Sequence, residues 1–112
     1  SGPWSTTLQN LPPFSSDSAV RDYMTKANCS GDCKTMFLAQ SLASTMNALR
    51  SASFQNQYVK FQGACTKVQT LLDTALSGTA IYTGNVNTRI AYKTIFDDLN
   101  NSRASRCPAG NS

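Results

Sequence analysis

Apolar positions recur at helical spacing along this chain, most clearly between Tyr58 and Leu76. At about 100° per residue, the large apolar side chains of this stretch fall in one sector of a helical wheel, opposite Lys60, Lys67 and Thr70. The apolar sector comprises Tyr58, Phe61, Cys65, Val68, Leu72 and Leu76. The pattern predicts an amphipathic central helix that packs against its neighbours.

Two helices are predicted before this stretch. The first follows the serine-rich cluster at residues 15–18, which supplies N-cap side chains, and ends near Asn28. The second runs from about Cys33 to Arg50, and a polar turn, Ser51–Asn56, connects it to the central helix. Its predicted buried stripe comprises Leu38, Leu42, Thr45, Met46 and Leu49.

A last helix is predicted from about Thr88 to Ala104, with Asn87 as its cap. Its stripe comprises Tyr92, Ile95, Phe96 and Leu99. The segment before it, Thr79–Asn87, is expected to be a loop with Ile81 or Tyr82 inserted in the core, because one short strand would lack a partner. The predicted fold is therefore an all-α bundle of about four helices.

The whole chain, residues 1–112, is expected to form one domain. Prolines interrupt any helical period in residues 1–16, which are predicted to be an extended arm lying along the domain. Residues 17–107 would form the bundle and residues 108–112 a tail. No apolar run is long enough for a membrane span, and the start does not resemble a signal peptide.

The cysteines are four in number and predict two disulfides, with a four-cysteine zinc site as the alternative. Zinc ribbons offer two close cysteine pairs, whereas only Cys29 and Cys33 are close here. Of the three possible pairings, Cys29–Cys33 with Cys65–Cys107 is favoured, since it closes a short loop and attaches the C-terminal segment to the central helix. The second bond is expected on the buried side of that helix.

The composition is typical of an exported protein. Charged residues make up 14% of the chain, and its polarity comes largely from Ser, Thr, Asn and Gln. The net charge of +4 favours an anionic partner, but the basic residues are scattered, so nucleic-acid binding is not expected. We expect an extracellular or cell-surface location and contacts with other protein domains or surface components. Two glycosylation sequons begin at Asn28 and Asn100.

Several kinds of catalytic site are excluded by composition. The chain has no histidine, which rules out Ser-His-Asp and Cys-His sites. Asp97 and Asp98 are adjacent on a helix, where neighbouring side chains diverge, so they are not expected to share a site. The three-residue spacing between Cys29 and Cys33 differs from that of thioredoxin-type redox sites. We expect no enzyme activity, cofactor or metal.

Two functional hypotheses remain. The first is a non-catalytic structural or interaction module whose contact residues are Trp4, Leu8, Phe14 and Phe37. The alternative is a carrier of an apolar ligand such as a lipid or sterol. Its cavity would be lined by Met24, Met46, Phe61, Leu72, Tyr92 and Phe96.

About two-thirds of the chain resembles a helical domain that recurs in secreted, multi-domain surface proteins of actinobacteria and other bacteria. The matching motifs are the Leu-Ala-x-x-Leu-Ala-x-x-Met-Asn run at residues 38–47, Cys65 with the stretch 68–75, and Ile95-Phe96-Asp97-Asp98-Leu99-Asn100-Asn101 before Cys107. This resemblance implies an appended structural module in which Cys65 and Cys107 pair. A fainter similarity, at residues 33–36, is to the sterol-carrying elicitins and is the source of the carrier hypothesis.

Overall fold

The structure, a computed structural model, describes residues 25–76 and 78–107. This part of the chain contains five complete helices and a three-stranded antiparallel sheet, so the all-α prediction is wrong. The helices are α1 (Lys34–Arg50), α2 (Ala52–Asn56), α3 (Val68–Leu76), α4 (Ala80–Thr83) and α5 (Val86–Asn100). The strands are β1 (Tyr58–Phe61), β2 (Ala64–Lys67) and β3 (Arg106–Cys107), and their order in the sheet is β2-β1-β3.

The first half of the predicted central helix is a β-hairpin of β1 and β2, with Val59 opposite Thr66. Gln62 and Gly63 connect the strands with φ angles of 52° and 83°. Positive φ at both central residues is the geometry of a type I′ turn, whose twist matches that of paired strands. Alternation along β1 places Val59, which is fully buried, on the core side. The helical spacing read from Tyr58 to Cys65 is therefore coincidental.

Helical periodicity holds from Val68 onward. The apolar side chains of α3 recur at the i, i+3, i+4, i+7 spacing of one helix face, and all of them are buried. They are Val68, Leu71, Leu72, Ala75 and Leu76. This face packs in one core cluster with Phe37 of α1 and Phe96 of α5.

The predicted second helix is confirmed as α1, but its stripe is rotated from the predicted one. Leu49 is 50% exposed, whereas Phe37 is fully buried. Small hydroxyl residues occupy much of the buried face, and two of them return hydrogen bonds to their own helix. Ser41 Oγ donates to the Phe37 carbonyl at 2.7 Å, and Thr45 Oγ1 donates to the Ser41 carbonyl at 2.8 Å.

A polar network joins α1 to α5 around Asn100. The Asn100 Oδ1 atom accepts hydrogen bonds from Ser44 Oγ at 2.8 Å and from Asn47 Nδ2 at 3.1 Å. Its Nδ2 atom donates to the backbone carbonyl and to the side-chain oxygen of Gln40, at 3.1 and 2.8 Å. These bonds hold the C-terminal end of α5 against the middle of α1.

The last helix is confirmed, with its boundaries shifted. Helix α5 begins at Val86 and not near Thr88, because Asn85 is the cap: its Oδ1 accepts from the backbone N–H groups of Asn87 and Thr88 at 2.8 and 3.3 Å. The predicted stripe is buried as expected and comprises Tyr92, Ile95, Phe96 and Leu99.

Two segments predicted to lack regular structure are short helices. The turn predicted at Ser51–Asn56 contains α2, where Ser51 Oγ accepts from the N–H of Phe54 at 3.3 Å. The loop predicted at Thr79–Asn87 contains α4. Both Ile81 and Tyr82 pack against the core, as expected.

Both predicted disulfides are confirmed, Cys29–Cys33 and Cys65–Cys107. The setting of the second bond differs from the prediction. The sequence predicts it on the buried side of a central helix, whereas it joins β2 and β3, the two outer strands of the sheet. Cys65 lies opposite Lys60 and Cys107 opposite Tyr58, on the face of β1 that points away from Val59. Their Cα atoms are 6.1 Å apart, whereas two strands flanking a third in a flat sheet lie about 9–10 Å apart. The sheet is therefore strongly curled around β1.

Some predictions fall outside the described residues: the arm at residues 1–16, the tail at residues 108–112 and most of the first helix. Of that predicted helix, residues 25–28 are described: Thr25 and Lys26 are helical, whereas Ala27 and Asn28 are not. Among the helices of residues 25–76 and 78–107, none is long and apolar enough to cross a membrane.

Candidate functional site

A groove of about 410 Å³ lies where the C-terminal ends of α1 and α5 meet α2 and β3. We call it the Arg50–Arg106 groove after its two cationic residues. Its other polar lining residues are Asn47, Ser51, Ser53, Gln57 and Ser102, and its apolar lining residues are Phe54, Leu99 and Ala104. The lining thus combines guanidinium, hydroxyl and amide groups with an apolar surface.

The apolar lining is continuous with the core. Leu99 is a buried member of the core cluster, and Phe54 and Ala104 pack against that cluster while remaining half-buried. Their packing against the core sets the positions of these side chains. Pre-formed apolar surface with polar groups around it is typical of binding sites.

The groove carries positive charge without a matching acid. None of its described lining residues is an aspartate, and within residues 25–76 and 78–107 neither Arg50 nor Arg106 forms an ion pair. By contrast, Arg103 lies within 3.5 Å of the Asp97 carboxylate and 3.6 Å of the Asp98 carboxylate. The two acids nearest in sequence to the groove wall are thus paired with Arg103.

The segment after α5 forms one wall of the groove and is fixed at several points. Ser102 adopts a φ of 57° and donates its N–H to the Leu99 carbonyl at 3.3 Å. The Ser105 carbonyl accepts from the N–H of Lys60 at 2.8 Å. The Cys65–Cys107 disulfide then ties the end of the segment to β2. The position of Arg106 on β3 is therefore set by the sheet and by a covalent bond.

A shallower depression of about 330 Å³ lies between the hairpin and α5. Its lining includes Lys60, Phe61, Ile95 and Asp98, so it contains charges of both signs. The Asp98 carboxylate is also paired with Arg103. This depression offers less charge selectivity than the Arg50–Arg106 groove.

A buried arginine, Arg89, connects the Cys29–Cys33 loop to the end of α4 and the residue that follows it. It is 3% exposed, and its Nε donates to the carbonyl of Asp32 in the Cys29–Cys33 loop at 2.8 Å. Its Nη1 donates to the carbonyls of Tyr82 and Gly84, at 2.9 and 3.1 Å. Backbone carbonyls surround the guanidinium group, so Arg89 holds the α4–α5 connection against the start of α1.

Of the four residues proposed for interaction, the structure describes one, Phe37. Phe37 is fully buried in the core cluster, so it is not displayed to a partner. The other three, Trp4, Leu8 and Phe14, lie outside the described residues. Sequence reasoning did not single out Arg50 or Arg106, because the groove arises from segments that are distant along the chain.

The residues proposed for an apolar cavity lie mostly in the packed core. Leu72, Tyr92 and Phe96 belong to the core cluster, and Phe61 packs against it, with its ring centroid 4.8 Å from that of Tyr92. Met46 is half-buried on α1. The sixth residue, Met24, lies outside the described part of the chain.

The structure also bears on the individual chemical groups. Asp97 and Asp98 both lie beside the guanidinium group of Arg103, at 3.5 and 3.6 Å, and this contact with an exposed arginine does not make them a paired-carboxylate catalytic site. Among residues 25–76 and 78–107, no cluster of three or more Cys or Asp residues could hold a metal ion. Burial raises the pKa of the Tyr92 hydroxyl above its ordinary value of 10.0, and a hydrogen bond with Thr74 opposes that shift.

The two sequons differ in accessibility. Asn28 is exposed, and its Oδ1 accepts from the N–H of Ser30 at 3.0 Å. The Nδ2 of Asn100, the atom that glycosylation would modify, donates two hydrogen bonds to Gln40 between the helices. Glycosylation at Asn100 would therefore disrupt the α1–α5 contact.

Comparison with known protein families, with curated proteins and with solved structures found no match to this chain.

Proposed function

We propose that the chain is a non-catalytic interaction module of a secreted or cell-surface protein assembly, and that it contacts its partner through the Arg50–Arg106 groove. The observation that supports this proposal most directly is the charge of the groove. It combines two arginines that form no ion pair within residues 25–76 and 78–107 with hydroxyl, amide and apolar groups on a surface joined to the core. Interfaces are commonly enriched in arginine and aromatic side chains, as here with Phe54.

The export part of the proposal is supported by the two disulfides. Both Cys29–Cys33 and Cys65–Cys107 are compatible with an oxidising compartment, where a small domain commonly gains stability from such bonds. The composition agrees, since only 14% of the residues are charged. The Cys65–Cys107 disulfide fixes one wall of the Arg50–Arg106 groove, and this suits a module whose contact surface must stay folded outside the cell.

The proposal can be tested by NMR on the isotopically labelled full chain. A panel of short synthetic peptides and a fatty acid would be titrated, and amide shifts would be followed. We expect peptides to perturb the amides of Asn47, Gln57 and Ser102 in the groove. Shifts confined to the core residues Leu72, Tyr92 and Phe96 on addition of the fatty acid would contradict the proposal and support an apolar-ligand carrier.

A blocking variant makes the test specific. Ser53 is exposed and lines the groove, so Ser53→Trp should fill part of it without disturbing the core. We expect this variant to abolish the peptide-induced shifts. Thr70→Trp places the same side chain at an exposed position outside the groove lining and should leave them unchanged. Equal loss in both variants would contradict binding at the groove.

A further inference from the structure

We infer that the partner segment recognised by the Arg50–Arg106 groove is an acidic peptide in which a carboxylate adjoins an apolar side chain. This inference rests on the proposed function and specifies its partner. The carboxylate would be held by Arg50 and Arg106, and the apolar side chain would contact Leu99 and Phe54.

Charge complementarity is the first argument. The guanidinium groups of Arg50 and Arg106 are exposed and have no acidic partner among the described residues. Guanidinium groups bind carboxylates through paired N–H donors, which gives this interaction its directional preference. Because Arg103 already pairs with Asp97 and Asp98, those acids are engaged elsewhere. A carboxylate from another chain could therefore form an ion pair with Arg50 and Arg106.

The two arginines are not equivalent. Arg50 lies in the last turn of α1, where a cation also offsets the negative end of the helix dipole. Arg106 lies on β3, is exposed and has no helix end of its own to neutralise. The sheet pairing of Val59 with Arg106 and the neighbouring disulfide fix its backbone instead. Replacing Arg106 therefore tests the effect of groove charge on ligand binding without also removing a charge from a helix end.

The apolar lining favours a peptide over an anionic polysaccharide. Leu99, Phe54 and Ala104 form a surface that matches an apolar amino-acid side chain, and Ser102 and Gln57 provide polar groups beside it. An extended polyanion gains affinity from a run of many cations. Among the described residues, the groove lining supplies two cations, Arg50 and Arg106. A short segment with one or two carboxylates fits this arrangement better.

The experiment is a titration of the labelled full chain with three short peptides that have otherwise identical sequences. The first contains two aspartates flanking a leucine, the second has asparagines in place of the aspartates, and the third has alanine in place of the leucine. We expect the first to bind with a Kd of about 0.1–1 mM and the other two to bind several-fold more weakly. Binding of the first should also weaken as the salt concentration is raised.

Charge-removing variants locate the contact. Arg106→Gln and Arg50→Gln should each raise the Kd of the acidic peptide by about three- to fivefold, the upper part of the range for exposed ion pairs. Lys93→Gln removes one positive charge outside the groove lining and should leave the Kd within about twofold. An equal effect of Lys93→Gln and Arg106→Gln would overturn the inference, because the effect would then reflect net charge alone.

The outcomes separate this inference from the proposed function. Equal affinity for the aspartate and asparagine peptides, with shifts still in the groove, would overturn the acidic specificity and leave the interaction module standing. Tighter binding of an anionic oligosaccharide than of the acidic peptide would overturn the assignment of a peptide partner. Absence of groove shifts with every peptide would overturn both proposals.

Discussion

Arg89 donates a hydrogen bond of 2.8 Å from its Nε atom to the carbonyl oxygen of Asp32, a residue 57 positions earlier in the chain. The same guanidinium group binds the carbonyls of Tyr82 and Gly84. One buried side chain thus satisfies backbone acceptors of the Cys29–Cys33 loop, of the last turn of α4 and of the residue that follows α4.

Replacing Arg89 by methionine should lower the free energy of unfolding by about 2–4 kcal/mol, because the four carbonyls it binds, those of Asp32, Ile81, Tyr82 and Gly84, lose a donor within a buried site. Arg89→Lys should also destabilise, since an ammonium group cannot reproduce the planar set of donors. Urea denaturation followed by circular dichroism measures both effects. Arg103→Met is the matched control: that side chain is 57% exposed, so its loss should cost less than about 1 kcal/mol. Similar values for the two methionine variants would contradict this role of Arg89.

Asn100→Ala should lower the free energy of unfolding by about 2–3 kcal/mol. The substitution removes the amide oxygen and the amide N–H groups that Asn100 contributes to the α1–α5 network. Ser44, Asn47 and Gln40 are then left with unsatisfied groups in a half-buried interface. Asn87→Ala makes the same change at an exposed position of the same helix and should stay within about 0.5 kcal/mol of the wild type. Equal free energies of unfolding for the two variants, in both thermal and urea denaturation, would contradict this role of Asn100.

Gly63→Ala should destabilise the hairpin by about 1 kcal/mol. The φ of Gly63 is 83°, and a Cβ there would meet nothing within 4 Å, so the penalty is conformational and not steric. Gly78 also has open space around it but does not adopt a positive φ. Gly78→Ala should therefore be neutral or stabilise by up to about 1 kcal/mol. Equal losses in the two alanine variants would contradict the type I′ turn.

The Tyr92 hydroxyl should make stability fall at alkaline pH. Because burial raises its pKa in the folded state, the unfolded chain loses this proton first as the pH rises. The stabilising contribution is complete below about pH 10 and is lost as the pH rises through the folded pKa. Urea midpoints of the wild type and Tyr92→Phe should run in parallel from about pH 7 to about pH 9, and above that range the wild type should fall more steeply. Parallel curves throughout would contradict a raised pKa.

Local patterns along the sequence predict the helical core well. The disulfide pairing, the stripe of α5 and the face of α3 from Val68 follow from cysteine spacing and helical periodicity. The hairpin is missed because Tyr58, Phe61 and Cys65 also fit a helical period, while the strand signal is only four residues long on each side of Gln62 and Gly63. With hindsight, the β-prone run Tyr58–Phe61 followed directly by Gln62 and Gly63 is the signal that favours the turn.

The groove and the buried arginine are harder to predict, since both depend on tertiary packing. Asn47 and Arg50 meet Ser102 and Arg106 only because α1 packs on α5 and β3 joins β1. Arg89 is charged, and sequence patterning assigns charged residues to the solvent side of a helix. Its burial becomes intelligible only when the carbonyls of Asp32 and Tyr82 are placed around it.

The Cys65–Cys107 bond closes a covalent ring that includes α3, α4 and α5. Within this ring, Gly78 and Thr79, between α3 and α4, are exposed. A protease that cuts there would open the ring without releasing either part, because both halves remain joined through the sulfur atoms. The cut chain should separate on a denaturing gel only after reduction. If the module is exposed to proteases outside the cell, a single cut would therefore leave Arg106 covalently attached to the rest of the groove.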